Sequence, residues 1–595
     1  MKRETIDEKY LWDLRDLYVS DEAWEDAFQK IRESAKAFGL YKGRLLESSE
    51  TLLSALETYE NLSRKLANLV VYARLKMDEN TKDSKYQGMV SRSEKLATEI
   101  QKENAFFIPE LLEGDEQTIK QLLEHPDLAH YQKFFDDLLR KKPHILSEEM
   151  ESVLAQVGEL GDAPSNAYGM LLNADMTFED AVDAKGETHT ITNGSYVPLL
   201  MSKDRTLRRD AFEKYYKVYK DHINTLSSLL QSEVNKNIFF SRMRNHGSAR
   251  EAALFQNNIP VTVPDRLIEA VNNNLESFYK YMKLRKKVLG VKELHLYDVY
   301  TPIVADVDFP ISYDEAKEMV TEAVGPLGRD YQQGIRSAFD QRWIDVYETE
   351  GKRSGAYSSG TYDSRPYVLL NHKEDMNSMF TLAHELGHSM HSYLTRENQP
   401  YVYGNYSIFV AEVASTTNEA LLNHYLLQTV EDKEKRKYIL NHYLEQFRGT
   451  IFRQTMFAEF ERDIHARVEQ GGALTNEFLC DHYRKLNEKY FGPDVVIDPE
   501  IQYEWSRIPH MYYNFYVYQY ATGFSAAIAL SDQILKEGQP AVDRFLAFLS
   551  AGSSDYPIDI LRRAGADMET RDPVSNAMEV FKAGVEELEQ LMSES

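Results

Sequence analysis

Two histidines four positions apart, with a glutamate directly after the first, are the residues best suited to chemistry; the stretch reads His384-Glu385-Leu386-Gly387-His388. On an α-helix, residues four apart have Cβ atoms about 5–6 Å apart, so both imidazoles can direct a nitrogen at one metal ion. Zinc fits these ligands best. Glu385 is rotated around the helix, which places its carboxylate beside the metal position, where it can take a proton from water. The spacing therefore predicts a zinc site with a general base.

The sequence around this motif predicts the helix that must carry it. Asp375 can cap the start of the helix, and Asn398 and Pro400 follow the last periodic residues and end it. Gly387 inside the helix costs about 1 kcal/mol relative to alanine, which suggests that a neighbouring segment packs closely against it. A β-rich stretch, residues 343–371, lies directly upstream.

A catalytic zinc needs a third protein ligand and an open position. Ser407 can cap a second amphipathic helix that we expect to return antiparallel to the first. Glu412 and Glu419 lie on related faces of this helix, seven residues apart. The connecting loop can shift the helix by a turn or more, so the spacing alone leaves both carboxylates open as the third ligand.

His391 lies three residues beyond His388, on the same face of the predicted helix. It cannot join His384 and His388 on one metal ion, because it lies about 10 Å along the helix axis from His384. We expect it to be a hydrogen-bonded histidine near the site.

Composition excludes several other classes of function. The 595 residues include 69 Lys and Arg against 95 Asp and Glu, a formal net charge of −26 that repels nucleic acid and acidic membrane surfaces. The single cysteine, Cys480, cannot form an intramolecular disulfide or a thiolate zinc cluster and fits a reducing compartment. The N-terminus lacks the apolar stretch of a signal peptide, and no apolar run approaches the roughly 18 residues of a membrane span. We therefore expect a cytoplasmic protein with no membrane or nucleic-acid partner.

Apolar residues three and four positions apart dominate the sequence, which predicts a predominantly α architecture. Two stretches depart from this pattern. Residues 176–196 suggest a small hairpin, and residues 343–371 suggest a small β-sheet beside the helix of the histidine motif. We place a domain border after the hairpin, which gives an N-terminal helical domain of residues 1–195 and a catalytic domain of residues 196–595.

The motifs resemble those of the M3 family of zinc oligopeptidases, relatives of thimet oligopeptidase. The resemblance rests on HELGHSMH followed by FVAEVAST. The oligoendopeptidase F branch is more similar still, through RPYVLLNHK, RGTIFRQTMFAEFE and IPHMYYNFYVYQYATG. The resemblance implies one zinc ion per chain, held by His384, His388 and Glu412, with Glu385 as the base. Glu419 then becomes a candidate to orient a ligand imidazole. The implied fold is a two-lobed helical zinc peptidase with a deep substrate channel.

The resemblance also implies donors for the oxyanion of the reaction. A neutral imidazole or a phenol can donate the required hydrogen bond, and the implied residues are His510 and one or two nearby tyrosines. The spacing leaves the tyrosine open; Tyr516 is the first candidate, followed by Tyr513 and Tyr520. In zinc peptidases of this type an edge strand binds the peptide backbone, and residues 367–371 have the composition of such a strand.

The expected function is therefore that of a zinc endopeptidase that hydrolyses short oligopeptides. One alternative is a zinc carboxypeptidase, which needs a cation for the terminal carboxylate of its substrate. Arg353, Arg365 and Arg507 lie near the motifs and could supply that cation. The other alternative is a non-catalytic helical protein that binds peptides. Oligomeric state and cleavage preference cannot be inferred from the sequence.

Overall fold

Residues 1–304, 307 and 309–593 are described by the computed structural model of the chain. The protein is 71% helical and contains only small sheets, which confirms the predicted, predominantly α fold. No helix among the described residues combines the length and apolarity needed to cross a membrane. The predicted deep channel stays a prediction.

The helices of the first 304 residues are mostly amphipathic, with an apolar face in the core. They are α1 (Asp21–Phe38), α2 (Ser49–Glu79), α3 (Ser84–Glu103), α4 (Phe107–Glu113), α5 (Glu116–Leu122), α6 (Gln132–Lys141), α7 (Glu148–Gly161), α8 (Ala163–Met170), α9 (Tyr196–Leu200), α10 (Arg205–Asp221), α11 (Ile223–Met243), α12 (Ala249–Phe255), α13 (Thr262–Asn273) and α14 (Leu275–Val288).

The helices that follow include the one with the histidine motif and the one with the two candidate carboxylates. They are α15 (Tyr313–Ala323), α16 (Arg329–Asp340), α17 (Met376–Asn398), α18 (Ile408–Thr429), α19 (Lys433–Phe447), α20 (Arg453–Glu469), α21 (Asn476–Phe491), α22 (Tyr518–Glu537), α23 (Gln539–Leu549), α24 (Pro557–Ala564) and α25 (Asp572–Ser593).

The strands are short and form three small sheets within the described residues. They are β1 (Ala181–Val182), β2 (Thr188–His189), β3 (Leu294–His295), β4 (Ile344–Asp345), β5 (Tyr357–Ser359), β6 (Tyr367–Leu369) and β7 (Val495–Val496). Strands β1 and β2 pair antiparallel, as the predicted hairpin requires, and β3 pairs parallel with β7.

The sheet beside the histidine motif has the order β4-β6-β5. Strand β6 pairs parallel with β4, where Ile344 lies opposite Val368, and antiparallel with β5, where Ser358 lies opposite Val368. The predicted small sheet is therefore confirmed, but the prediction that residues 367–371 form an edge strand is wrong. Strand β6 has a partner on each side, so its backbone cannot accept a substrate strand; β5 lies at an edge instead.

The chain divides into two compact units, each built from three separate segments. The first unit comprises Met1–Pro143, Phe309–Tyr425 and Ser531–Ala564, and the second comprises His144–Asp308, Leu426–Leu530 and Gly565–Ser595. The predicted border near residue 195 lies inside a segment of the second unit, because each unit gathers segments that are distant in sequence. The division into residues 1–195 and 196–595 stays a prediction.

Candidate metal centre

Helix α17 carries the histidine motif, and its ends lie where the sequence predicts them. The Asp375 carboxylate accepts a hydrogen bond of 2.8 Å from the backbone N–H of Ser378, which caps the first turn. The helix ends at Asn398. The motif therefore lies in the middle of a capped helix, on a rigid support.

Helix α18 supplies the carboxylates that face this motif. Its start is held by Ser407, whose hydroxyl accepts a hydrogen bond of 3.1 Å from the N–H of Phe409. Contacts between the two helices show their relative direction. Asn418 donates a hydrogen bond to the carbonyl of Ala383, whereas His388, later in α17, faces Glu412, earlier in α18. The two helices are therefore antiparallel, as the sequence predicts.

Gly387 allows the two helix backbones to touch. A Cβ atom on Gly387 would lie 2.5 Å from Cα of Ser415 and 2.8 Å from the carbonyl oxygen of Ala414. Real Cβ atoms do not approach backbone atoms so closely, so any larger residue would push α18 away from α17. The close packing expected from this glycine is confirmed.

Three potential ligand atoms converge between these helices. Nε2 of His384 lies 3.2 Å from Nε2 of His388, and Oε2 of Glu412 lies 3.4 Å and 3.5 Å from these two nitrogens. In a tetrahedral site with metal–ligand distances of about 2.0–2.1 Å, neighbouring ligand atoms lie about 3.3–3.4 Å apart. The triangle therefore has the dimensions of one face of a tetrahedral site, and the fourth position stays open.

Glu419 determines which nitrogen of His384 is available. Its Oε1 accepts a hydrogen bond of 2.6 Å from Nδ1 of His384, which leaves the Nε2 lone pair to face the other two ligand atoms. Burial lowers the pKa of His384, but the hydrogen bond and negative charge of Glu419 outweigh this effect and raise it to about 9. A metal ion at the triangle would compete with that extra proton.

The Glu412 side chain is ionised and partly fixed. Burial raises its pKa, but hydrogen bonding and positive charge at His388, together with the charge at His384, outweigh burial and lower the pKa to about 2. The hydroxyl of Ser415 donates a hydrogen bond of 3.2 Å to Oε2 of Glu412. The side chain stays 46% exposed, so the site is accessible from solvent.

Glu385 lies outside the triangle. Only 7% of this residue is exposed, and burial raises the pKa of its carboxyl above the usual range. A carboxylate with a raised pKa is a stronger base than an exposed one, so Glu385 is suited to take a proton from water beside the triangle.

His391 is buried one turn beyond His388, where its ring stacks on Tyr406 with centroids 3.6 Å apart. Burial lowers its pKa to about 3, so the imidazole is neutral. Its Nδ1 has no hydrogen-bond partner among the described residues, so the expectation of a hydrogen-bonded histidine is not met at this atom. It contributes packing to the core of the first unit, whose residues enclose it.

The predicted oxyanion donors form an aromatic cluster in the second unit. Nε2 of His510 lies within hydrogen-bond distance of the Tyr520 hydroxyl, 3.2 Å away, and burial lowers the pKa of His510, which favours the neutral ring. The Tyr516 ring stacks with that of His510 at a centroid distance of 6.4 Å, and Tyr513 is 54% exposed. The Tyr516 hydroxyl has no hydrogen-bond partner among the residues that the structure describes.

Two adjacent residues in this cluster adopt a backbone conformation that is rare outside glycine. Asn514 has φ 45° and Phe515 has φ 59°. The Glu461 carboxyl group accepts a hydrogen bond of 2.7 Å from the N–H of Phe515 and so helps to hold this strained turn. Glu461 lies in the motif that carries the resemblance, but its sequence position gave no indication of this contact.

Comparison with known proteins assigns the family. The family model described as Peptidase family M3 matches residues 199–580, and the model described as Oligopeptidase F matches residues 110–178. This chain belongs to peptidase family M3. The resemblance seen in the sequence is therefore confirmed, and the enzyme is a metallopeptidase whose family implies a bound metal.

Relatives of this M3 peptidase match it along nearly its whole length. It is 47% identical to Oligopeptidase PepF of Bacillus subtilis, over 99% of this chain and 88% of that protein. It is 44% identical to Group B oligopeptidase PepB of Streptococcus agalactiae, over 99% and 98%. The fold matches oligoendopeptidase-F from Enterococcus faecium with a TM-score of 0.73 at 38% identity, covering 97% of this chain and 100% of that one.

A second crystal structure, of a protein from Chlamydophila abortus, matches with a TM-score of 0.95 at 35% identity and covers 99% of both chains. Identities of this size over nearly the whole of this chain indicate a shared fold.

Proposed function

We propose that this M3 peptidase is a zinc endopeptidase of short peptides, with His384, His388 and Glu412 as the zinc ligands. The observation that carries this proposal is the triangle of two imidazole nitrogens and one carboxylate oxygen with edges of 3.2, 3.4 and 3.5 Å. Lone pairs facing one another at this distance repel unless a proton or a metal ion lies among them. Nitrogen and oxygen ligands in a tetrahedral arrangement with one open position suit catalytic zinc.

A zinc ion held by His384, His388 and Glu412 would supply Lewis-acid chemistry, which polarises a carbonyl group and lowers the pKa of water. Glu385 accepts a proton from the attacking water and then donates it to the amine that leaves. The neutral His510 and the Tyr516 hydroxyl donate hydrogen bonds to the carbonyl oxygen as it gains negative charge. This last role rests on the family resemblance.

Short peptides are the proposed substrates because several relatives are named oligopeptidase or oligoendopeptidase.

The carboxypeptidase alternative needs an arginine that is free to bind a terminal carboxylate. Each of the three candidates already pairs with an acidic residue: Arg353 with Asp78 at 3.5 Å, Arg507 with Glu504 at 3.3 Å, and Arg365 with Asp16. These pairs favour an endopeptidase. A cytoplasmic location stays a prediction.

The test uses a short peptide blocked at both ends, with wild type, Glu385→Gln and Glu397→Gln compared. We expect wild type to cleave it, a chelator to stop cleavage, and added zinc to restore it. Glu385→Gln should bind zinc normally and lose about 10²–10⁴-fold in kcat, because a proton carrier is removed and no ligand is. Glu397, an exposed residue near the end of α17, provides the matched control.

Near-normal turnover by zinc-loaded Glu385→Gln would contradict the assigned base. Cleavage of a peptide with a free C-terminus, but never of the blocked peptide, would favour the carboxypeptidase. Absence of both zinc and peptidase activity would favour a peptide-binding protein.

A further inference from the structure

The second unit contains a cavity of about 30 Å³ with an unusual wall. Arg448, Arg453 and Tyr300 line it, together with Glu504 and a set of mostly apolar and aromatic side chains. One water molecule needs about 10–15 Å³ of such space, so the cavity has room for two waters or for one ion of halide size.

A turn of π-helix places the two arginines on the wall. The backbone from Arg448 to Phe452 forms this turn between α19 and α20, and Arg453 follows it directly. Residues five apart in an α-helix point about 140° apart, whereas an i→i+5 turn brings them to one side. Such turns are uncommon and are frequently found at functional sites.

The charges around the cavity do not balance. Glu445 pairs with both Arg285 and Arg448, at 2.9 and 2.8 Å. Glu504 likewise pairs with two arginines, Arg453 at 2.8 Å and Arg507 at 3.3 Å. No other acidic residue pairs with these four guanidinium groups in the described part of the chain. Four positive charges therefore face two negative ones.

An unbalanced charge of this kind is costly inside a protein. Arg285, Arg448 and Glu504 are buried, with 1%, 9% and 2% exposed, whereas the side chains of Arg453, Arg507 and Glu445 are 17%, 16% and 26% exposed. Buried charges persist where a partner of opposite sign compensates them. The four arginines and two glutamates therefore lack compensating negative charge, and the cavity beside them has room for an anion.

Hydrogen-bond donors are also left over at the wall. Nε of Arg448 donates a hydrogen bond of 2.8 Å to the Glu445 carboxylate. The two terminal nitrogens of Arg448 have no hydrogen-bond partner among the described residues. The Tyr300 hydroxyl is likewise without a partner in that part of the chain, and the Arg448 guanidinium lies 4.6 Å from the Tyr300 ring centroid.

The electrostatic effect is visible on Tyr300 itself. Burial raises the pKa of this phenol, but the positive charges of Arg453 and Arg448 outweigh burial and hold the pKa below its usual value. Burial, together with the negative charge of Glu504, raises the pKa values of the neighbouring phenols Tyr216 and Tyr483 instead. Tyr300 therefore lies at the positive side of the cluster.

We propose that this cavity binds one monovalent anion of halide size, such as chloride, between the terminal nitrogens of Arg448, the Arg453 guanidinium and the Tyr300 hydroxyl. The anion supplies part of the missing negative charge and accepts the unused hydrogen bonds. It stabilises the junction between α19 and α20 and is independent of the peptidase reaction.

The decisive experiment is crystallisation of the full chain in sodium bromide, with diffraction data collected at the bromine absorption edge. We expect an anomalous peak in the cavity beside Arg448, Arg453 and Tyr300. Absence of a peak there, with bromide present at 100 mM or more, on the order of physiological ionic strength, would overturn the proposal.

Solution measurements separate specific binding from weak binding at crystal concentrations. At constant ionic strength, replacement of gluconate by chloride should raise the Tm of wild type in a saturable way. Tyr300→Phe should weaken this response by shifting its midpoint to higher chloride, while Tyr297→Phe, outside the cavity wall, should leave it unchanged. An identical Tm in both salts would contradict the proposal.

The rival source of negative charge is Tyr300 itself, ionised to a phenolate. An ultraviolet phenolate band near neutral pH in chloride buffer, present in wild type and lost in Tyr300→Phe, would show that no anion is needed. That result would overturn the proposal as well.

Discussion

Glu419 and His384 lie 35 positions apart in sequence, and Oε1 of Glu419 is 2.6 Å from Nδ1 of His384. The other ring nitrogen of His384 lies 3.4 Å from Oε2 of Glu412. One imidazole is therefore held between two carboxylates that are seven residues apart on α18. The seven-residue spacing keeps both on one face of the helix, so a single helix supplies the carboxylate that we propose as a ligand and the carboxylate that hydrogen-bonds to the His384 ring.

Replacement of Glu419 should weaken the metal site without removing it. We expect Glu419→Ala to lower zinc affinity or kcat/KM about 10–100-fold, because His384 loses the partner that fixes its orientation and tautomer. Glu419→Gln should lose less, since the amide oxygen can still accept the Nδ1 hydrogen bond. Competition with a chelator measures the affinity.

Glu412→Ala provides the comparison, because it removes an atom of the triangle and should reduce zinc binding far more. Glu397→Ala should change neither quantity. Intact zinc binding in Glu412→Ala, combined with its loss in Glu419→Ala, would exchange the roles assigned to the two carboxylates.

Gly387→Ala tests the contact that sets the distance between α17 and α18. The added methyl group would overlap Ser415 and Ala414, so we expect a loss of about 1–3 kcal/mol in the free energy of unfolding and weaker zinc binding. Gly88 on α3 is the matched control, because a Cβ there meets nothing within 4 Å. Gly88→Ala should be neutral or stabilising by up to about 1 kcal/mol. Equal stability of both variants in urea denaturation would contradict this account.

The sequence predicts the two helices of the site well, because their signals are local. Caps at Asp375 and Ser407 and apolar periodicity depend on neighbouring residues only. The choice between Glu412 and Glu419 depends on how far α18 slides along α17, which the loop does not determine. In the structure, the contact of Gly387 with Ser415 sets that register, and a glycine in a helix indicates close packing without naming its partner.

Strand β6 shows the corresponding limit for sheets. Its composition predicts a strand, but its place in the sheet depends on pairing with β4 and β5, which are separate in sequence. The run Tyr367–Leu369 is buried at every position and does not alternate. Such a run is typical of a strand covered on both faces, but burial of the faces does not show whether the strand has a pairing partner on one side or on both. The strained turn at Asn514 and Phe515 has no comparable signal, because neither residue type requires positive φ.

His510→Ala and Tyr516→Phe should act mainly on kcat. Each change removes a hydrogen bond that is strongest in the transition state, and loss of one such donor costs about 100-fold or somewhat more. Steady-state kinetics on a blocked peptide measures kcat and KM separately. Tyr503→Phe, elsewhere in the second unit, serves as the control and should change neither. An effect confined to KM would mean that the two residues bind substrate without stabilising the oxyanion.

Glu461 should make the stability of the enzyme depend on pH in an unusual direction. Burial raises its pKa from 4.5 to about 8, so between these values the folded state holds a proton that the unfolded state releases. The contribution of Glu461 to the free energy of unfolding therefore falls as pH rises from about 4.5 to 8, by at most about 1.4 kcal/mol per pH unit. It levels off above pH 8. Glu461→Gln keeps an oxygen for the Phe515 N–H but cannot ionise.

Urea denaturation of wild type and Glu461→Gln at several pH values between 5 and 9 tests this directly. The unfolding free energy of wild type should fall relative to that of Glu461→Gln as pH rises to about 8, and the difference should then stay constant. Only wild type has a carboxyl group at this position whose ionised form is disfavoured by burial. Glu276→Gln, at an exposed position on α14, should follow wild type throughout this range. A difference between wild type and Glu461→Gln that does not change with pH would mean that the folded Glu461 carboxyl ionises at its ordinary pKa, and that its hydrogen bond to Phe515 is made by a carboxylate over the whole range.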